Sequence, residues 1–181
     1  CHAATTKGPE PQTAPVDPMP QAPSTVEVKR VVVSMGRVSG SSVARFAPDG
    51  TVTTVLDVLE NGRGPHCEAS FTLSREGIIT KFEAKGHHTF GATYTNQFKV
   101  EGDTARWQSP EETGEKKLNG PAFYVPLAEV GELEGLLVQA ALKRGGRIPV
   151  LPAGEVHVEK NGTFDVTVKG EKKTLTGYDI H

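Results

Sequence analysis

What this chain has little of narrows its class first. It holds two cysteines, Cys1 and Cys67, in 181 residues, too few for the disulfide framework of a small secreted scaffold. Its net charge of −2 argues against a nucleic-acid surface and against a strongly acidic docking tail. No apolar run approaches the roughly 18 residues of a membrane-spanning helix. Gly-x-Ser-x-Gly, Walker A, dinucleotide-fingerprint, Cys-x-x-Cys, His-x-His and His-Glu-x-x-His patterns are all missing. Each of them places a nucleophile, a phosphate cradle or a metal at a fixed spacing. Gly36-Arg-Val-Ser-Gly40 is glycine-rich but lacks the following helix that a phosphate loop needs. The sequence therefore assigns no catalytic, cofactor-binding or metal-ligating residue.

What is there is unevenly placed. The chain has thirteen prolines and twenty glycines; the prolines crowd the N-terminus and the glycines punctuate the remainder. Residues 1–25, rich in Pro, Thr, Ala and Gln, cannot bury enough apolar surface to offset their ordering entropy. They are expected to form a disordered tether, extended at about 3.1 Å per residue, with a reach of roughly 70 Å. Residues 26–181 are expected to form one β-rich domain.

The β pattern begins at residue 26. Residues 26–33 alternate and then turn continuously apolar, which predicts a central or doubly covered strand. Residues 36–42 are small and polar and predict a turn or bulged crossover. Pro48-Asp-Gly50 predicts a hairpin, followed by a Val/Thr-rich strand over 51–59. Residues 67–74 place Cys67, Ala69, Phe71 and Leu73 on one face and Glu68, Ser70 and Thr72 on the other. Further strands are expected over 78–84, over 93–100 with Tyr94, Asn96, Phe98 and Val100 aligned, and over 104–108. The charged stretch 109–118 reads as a loop. Residues 155–160 and 163–168 flank Asn161-Gly162, the strongest short hairpin signal, and a last strand is expected over 172–180.

One stretch changes period. Val130, Leu133, Leu137, Ala140, Ala141 and Arg144 recur at helical spacing, with Leu136 widening the stripe. Glu129, Glu132 and Glu134 come early, Lys143 and Arg144 late, and Gly145 follows, as the helix macrodipole and a C-cap favour. A helix near 128–144 is expected, and its glycines 131 and 135 cost about 1 kcal/mol each relative to alanine, so it needs a sheet to pack on. The fold class is mainly β (α+β): a curved antiparallel sheet or half-barrel with one helix packed on its concave face.

Few residues offer chemistry. His66, His87, His88 and Cys67 could supply nitrogen and sulfur ligands. Yet Cys67 belongs to an inward-facing set, and adjacent histidines on a strand point apart. A buried inert thiol with surface histidines is the plainer reading. Glu111-Glu112 reads as a solvated pair. Asn61-Gly-Arg-Gly-Pro65 is the most distinctive loop; Arg63 could contact a carboxylate or phosphate, or the loop could simply join two strands.

Two resemblances complete the reading. A chain beginning at cysteine resembles a mature bacterial lipoprotein, which implies a lipidated Cys1 and a membrane as partner; the bland alternative is a chain trimmed by chance at that residue. Acylation would exceed the two-signal requirement for stable anchoring and leave Cys67 unpaired. His2 is not the aspartate that retains enterobacterial lipoproteins at the inner membrane, so the resemblance implies the bacterial cell envelope, outer-membrane-anchored and facing the periplasm or exterior. The second resemblance rests on Asn61-Gly-Arg-Gly-Pro65, Asn119-Gly-Pro-Ala-Phe-Tyr124, Ile148-Pro-Val-Leu-Pro-Ala-Gly-Glu155 and Tyr178-Asp-Ile180. These look like the N-terminal region of exported bacterial amidohydrolase-superfamily proteins. In that family a metal-dependent barrel follows, and its His-x-His ligands map onto no residue here. The resemblance implies a non-catalytic accessory domain without a cofactor of its own, partnered by a downstream hydrolase domain; the strand-like end at residues 174–181 agrees with a longer polypeptide. Two other expectations stand beside it: a free-standing periplasmic lipoprotein sheltering an apolar or acyl ligand between sheet and helix, and a self-assembling subunit using its last strand for β-addition.

Overall fold

A computed structural model of the chain describes residues 24–181; Cys1, His2 and the rest of segment 1–23 lie outside the described residues. Strands β1 (Val26–Ser34), β2 (Arg37–Phe46), β3 (Thr51–Val58), β4 (His66–Leu73), β5 (Ile79–His87), β6 (Thr93–Glu101), β7 (Thr104–Gln108) and β8 (Thr113–Lys117) form one antiparallel sheet in chain order. Short turns make sequence neighbours spatial neighbours. The sheet curls into a half-barrel against which a single helix packs. The inward set read from alternation is the core: Cys67, Ala69 and Phe71 from β4 and Tyr94, Asn96 and Phe98 from β6 are buried, while Leu73 and Val100 are half-buried.

A second sheet closes over that inner face. It runs β12–β11–β10–β9, from β9 (Phe123–Tyr124), β10 (Arg147–Leu151), β11 (Glu155–Val168) and β12 (Glu171–Ile180). β9 and β10 pair in parallel, and parallel neighbours need a crossover connection. That requirement explains the lone helix α1 (Leu133–Leu142) lying between them. Leu133, Leu137, Ala140 and Ala141 enter the same core cluster as Phe71, Phe82 and Ile148.

The helix is shorter than the 128–144 its periodicity predicts. Glu132 is its N-cap and makes no side-chain capping bond; its buried carboxylate pairs instead with Arg30 of β1. At the other end Lys143 is the C-cap and the Gly146 N–H donates to the Ala141 carbonyl at 3.0 Å. Only Glu134 of the early carboxylates sits in the first turn, and the last turn holds no cation. Arg144 lies beyond it, donating to the Ala140 carbonyl and pairing with Glu76.

Other expectations are corrected in β1, β2, β8 and β11. The apolar run 26–33 is an edge strand, with Val31 65% exposed, because a half-barrel offers a core on one face only. Residues 36–42 are strand apart from a Met35-Gly36 turn. The backbone needs a small residue here: a Cβ on Gly40 would come within 2.2 Å of the Asp57 carbonyl oxygen. Residues 113–117 of the expected loop are the outer strand β8, where charged side chains suit a strand edge facing water. Asn161-Gly162 does not turn. β11 runs through it with a bulge at Asn161, and the hairpin turns at Lys169-Gly170, both at positive φ. Turning there extends the ladder from Val158↔Ile180 to Val168↔Glu171. Gly162 faces Gly177, and Phe164 lies over the latter so closely that a Cβ there would meet its ring at 2.6 Å.

The core makes a direct stability prediction. Phe82→Ala, at a fully buried position, should destabilise by about 3–5 kcal/mol in urea unfolding. Leu175→Ser, on the exposed hairpin, should stay within about 0.5 kcal/mol; equal losses would contradict the assigned core.

Candidate functional site

The sequence candidates converge on one end of the half-barrel. A row of cross-strand partners, Ser41↔Asp57↔His66↔His87, crosses β2 to β5 there. Above it leave three turns: Met35-Gly36, residues 59–65 and residues 88–92. In an antiparallel meander alternate connections share an end, so these three do.

Arg63 stands on the middle turn. Glu60 and Arg63 exchange backbone hydrogen bonds at 2.6 and 3.0 Å around Asn61 (φ 51°) and Gly62 (φ 80°), the positive-φ pair of a type I′ hairpin. The loop is thus a strand connection, and it leaves the Arg63 side chain exposed. Among the described residues, no acidic side chain lies within 4.0 Å of Arg63 or of Arg37.

His66, on the outer face, donates from Nδ1 to Asp57 Oδ1 at 2.7 Å, and its Nε2 lies 3.5 Å from Glu68 Oε1. The hydrogen bond to Asp57 holds its pKa above the ordinary 6.5 against the opposing effect of burial. Its ring stacks on that of His87 with centroids 5.9 Å apart, while His87 Nδ1 donates to the His88 carbonyl at 3.2 Å. His88 turns inward, its ring 4.7 Å from that of Tyr94. The histidines are half-buried rather than fully on the surface. Cys67 is buried and free, and burial pushes its thiol above the ordinary range.

These groups do not assemble a reaction centre. The row orders Ser41, Asp57 and His66 with the carboxylate in the middle, so the imidazole does not face the hydroxyl as a nucleophilic triad needs. Among the described residues, no three His, Cys, Asp or Glu side chains gather as a metal would require. Glu112 of the acidic pair accepts a bond from Trp107 Nε1 at 3.1 Å, a packing role that pattern reading missed.

Two further surfaces escaped sequence reading. An open cleft of about 770 Å³ lies between α1, β1 and the β2–β3 and β4–β5 turns, lined by Arg30, Asp49, Arg75, Glu132 and Lys143; its mixed charges favour no ligand of one sign. The second surface is the β11–β12 hairpin. Its register puts Phe164 beside Leu175, with Val166 and Val168 following on the same face, and Thr163, Asp165 and Thr174 on the other. Phe164, Val168 and Leu175 are exposed. β12 is the outer strand of its sheet. The alternation of residues 163–168 signalled this face, but the misplaced turn at Asn161-Gly162 hid its length.

The His66 geometry predicts a pH dependence. Because its folded pKa is raised, the stabilisation from the Asp57 contact is fully present below 6.5 and is lost as pH rises through the folded value. NMR titration should place His66 above 6.5 in the native chain and lower in Asp57→Asn, with the stability step flattened in the variant. A native value at or below 6.5 would remove the basis for the switch.

No protein-family model matches the chain, and no curated protein or solved structure matches it.

Proposed function

We propose that this chain is a non-catalytic accessory domain of an exported, lipid-anchored amidohydrolase-like protein, and that its β11–β12 hairpin docks against another folded part of that protein. The observation that carries this reading is the apolar stripe of Phe164, Val166, Val168 and Leu175, of which Phe164, Val168 and Leu175 are exposed. Lys173 and Glu171 share the stripe's face opposite Val166 and Val168, and over residues 163–176 the other face is Thr, Asp and Lys. Such one-sided patterning serves a strand pair that is covered on one face.

The loop resemblances support the family part of this reading, and the resemblance to mature bacterial lipoproteins supports the anchor and the bacterial cell envelope. The metal-dependent chemistry belongs to a barrel outside this chain. Cys67 points into the core, away from the stacked rings of His66 and His87, so the three do not converge on a metal. Arg63 remains an anion contact at most. Two observations weigh on the alternatives. Leu133 and Leu137 are buried in the core, which leaves less room for an acyl ligand between sheet and helix. The open edge of β12, however, also suits self-assembly by β-addition.

The test compares this chain with a version extended past His181 by the gene's own reading frame. Hydrolysis is expected only from the extended protein. Backbone amides of β11 and β12 should exchange at least about tenfold more slowly there, and Phe164→Ser with Leu175→Ser should abolish that protection. Metal-stimulated amide cleavage by the 181-residue chain, or equal exchange in both proteins, would count against this reading. Dimers of the short chain that dissolve in the double variant would replace it with self-assembly.

A further inference from the structure

Among the described residues, the four most exposed large apolar side chains are not scattered. Met35 is 94% exposed, Phe90 83%, Val38 70% and Leu59 68%; Met35, Leu59 and Phe90 lie in the three turns that leave the same end of the half-barrel, and Val38 lies on β2 beside the first of them. Those turns are two strands apart, so their tips stand about 10 Å from one another along the rim. Val38 and Leu59 are brought together by the Leu59 N–H, which donates to the Ser39 carbonyl at 2.7 Å. Single exposed apolar residues need no explanation; one in each of three successive turns at the same end does.

The charged groups at this end are sorted in a matching way. The Ser34 hydroxyl donates to the Glu60 carboxylate, 3.0 and 3.1 Å from its two oxygens, and His66 engages Asp57. Arg37 and Arg63 are exposed and have no acidic partner within 4.0 Å among the described residues. The rim therefore combines separated apolar tips with two unengaged guanidinium groups.

We propose that this rim inserts into the interface of a phospholipid bilayer, with Met35, Leu59 and Phe90 entering the headgroup–acyl boundary and Arg37 and Arg63 reaching lipid phosphates. Apolar side chains about 10 Å apart, separated by polar residues such as Thr89 and Asn61, present separate projections and not one continuous apolar patch. A fluid acyl region needs no shape complementarity and accepts each tip independently. Side chains of this kind reach about 5–10 Å into the interface, and guanidinium groups pair with phosphate in bidentate fashion. This docking needs neither a lipid at Cys1 nor a downstream barrel, and it orients the β11–β12 hairpin independently of both.

The test uses the full 181-residue chain made without acylation and mixed with phosphatidylethanolamine–phosphatidylglycerol vesicles. The native chain should co-float with them. A triple variant, Met35→Asn, Leu59→Ser and Phe90→Ser, should bind at least about tenfold more weakly with an unchanged circular dichroism spectrum. Asparagine is chosen at Met35 because its φ is 49° and that residue tolerates the left-handed region. Arg37→Gln with Arg63→Gln should also weaken flotation, whereas Phe164→Ser with Leu175→Ser should not. In otherwise native chain, Phe90→Trp should shift its emission to the blue on vesicle addition. A native chain that stays soluble, a triple variant that floats as well as native, or a Phe90→Trp emission unmoved by vesicles would each overturn the proposal. So would loss of self-association in the triple variant without any vesicle binding, since the tips would then join copies of the chain. None of these outcomes bears on hydrolysis or on hairpin protection in the extended protein.

Discussion

Tyr124 ties the two sheets into one body. Its hydroxyl donates to Asn96 Oδ1 at 2.6 Å, and both residues are buried. Its ring stacks on Phe98 at 4.2 Å and meets the edge of Phe82 at 5.6 Å. β9, which carries it, is only two residues long, so backbone pairing alone gives that strand little hold. Burial pushes the Tyr124 phenol up to about 12, while the bond to Asn96 acts in the opposite direction. A buried amide and a buried phenol are each expensive without a partner; together they satisfy one another and fix where the second sheet begins.

Once that contact is made, the remaining architecture is constrained. β10 follows β9 in parallel, so the chain must cross over, and α1 is the crossover. The helix brings Leu133 and Leu137 over the half-barrel, where they share the core with Phe71 and Phe82. The interior is then occupied by the protein's own side chains. The exposed apolar side chains include those of the β11–β12 hairpin and of the turn-bearing rim, and both proposed roles are roles of the exterior.

Several of these features were legible from alternation and turn chemistry. The inward set of β4, the aligned Tyr94, Asn96 and Phe98, the helical stripe through Leu133 and Leu137, and the half-barrel class follow from side-chain period. Arg63 was legible as an exposed turn residue because Asn61-Gly62 is a type I′ signal. The same dipeptide misled at Asn161-Gly162, where a longer ladder with β12 outweighs the local turn preference. The run 26–33 misled for a related reason: apolarity on both faces does not say which face the fold will cover. The pairing of Arg30 with Glu132 joins residues far apart in sequence, and no local pattern announces it.

By itself the sequence determined the elements that depend on neighbours along the chain: strand alternation, most turns, and the existence of one helix. Tertiary structure alone decided which strands lie at edges, which glycine dipeptide turns, and that Met35, Leu59 and Phe90 gather at one end. The division has a physical cause. Local conformation is set by sterics and side-chain period within a few residues, whereas exposure depends on what else packs nearby. An apolar residue at a turn tip reads like any other until the curl of the sheet aligns it with its fellows.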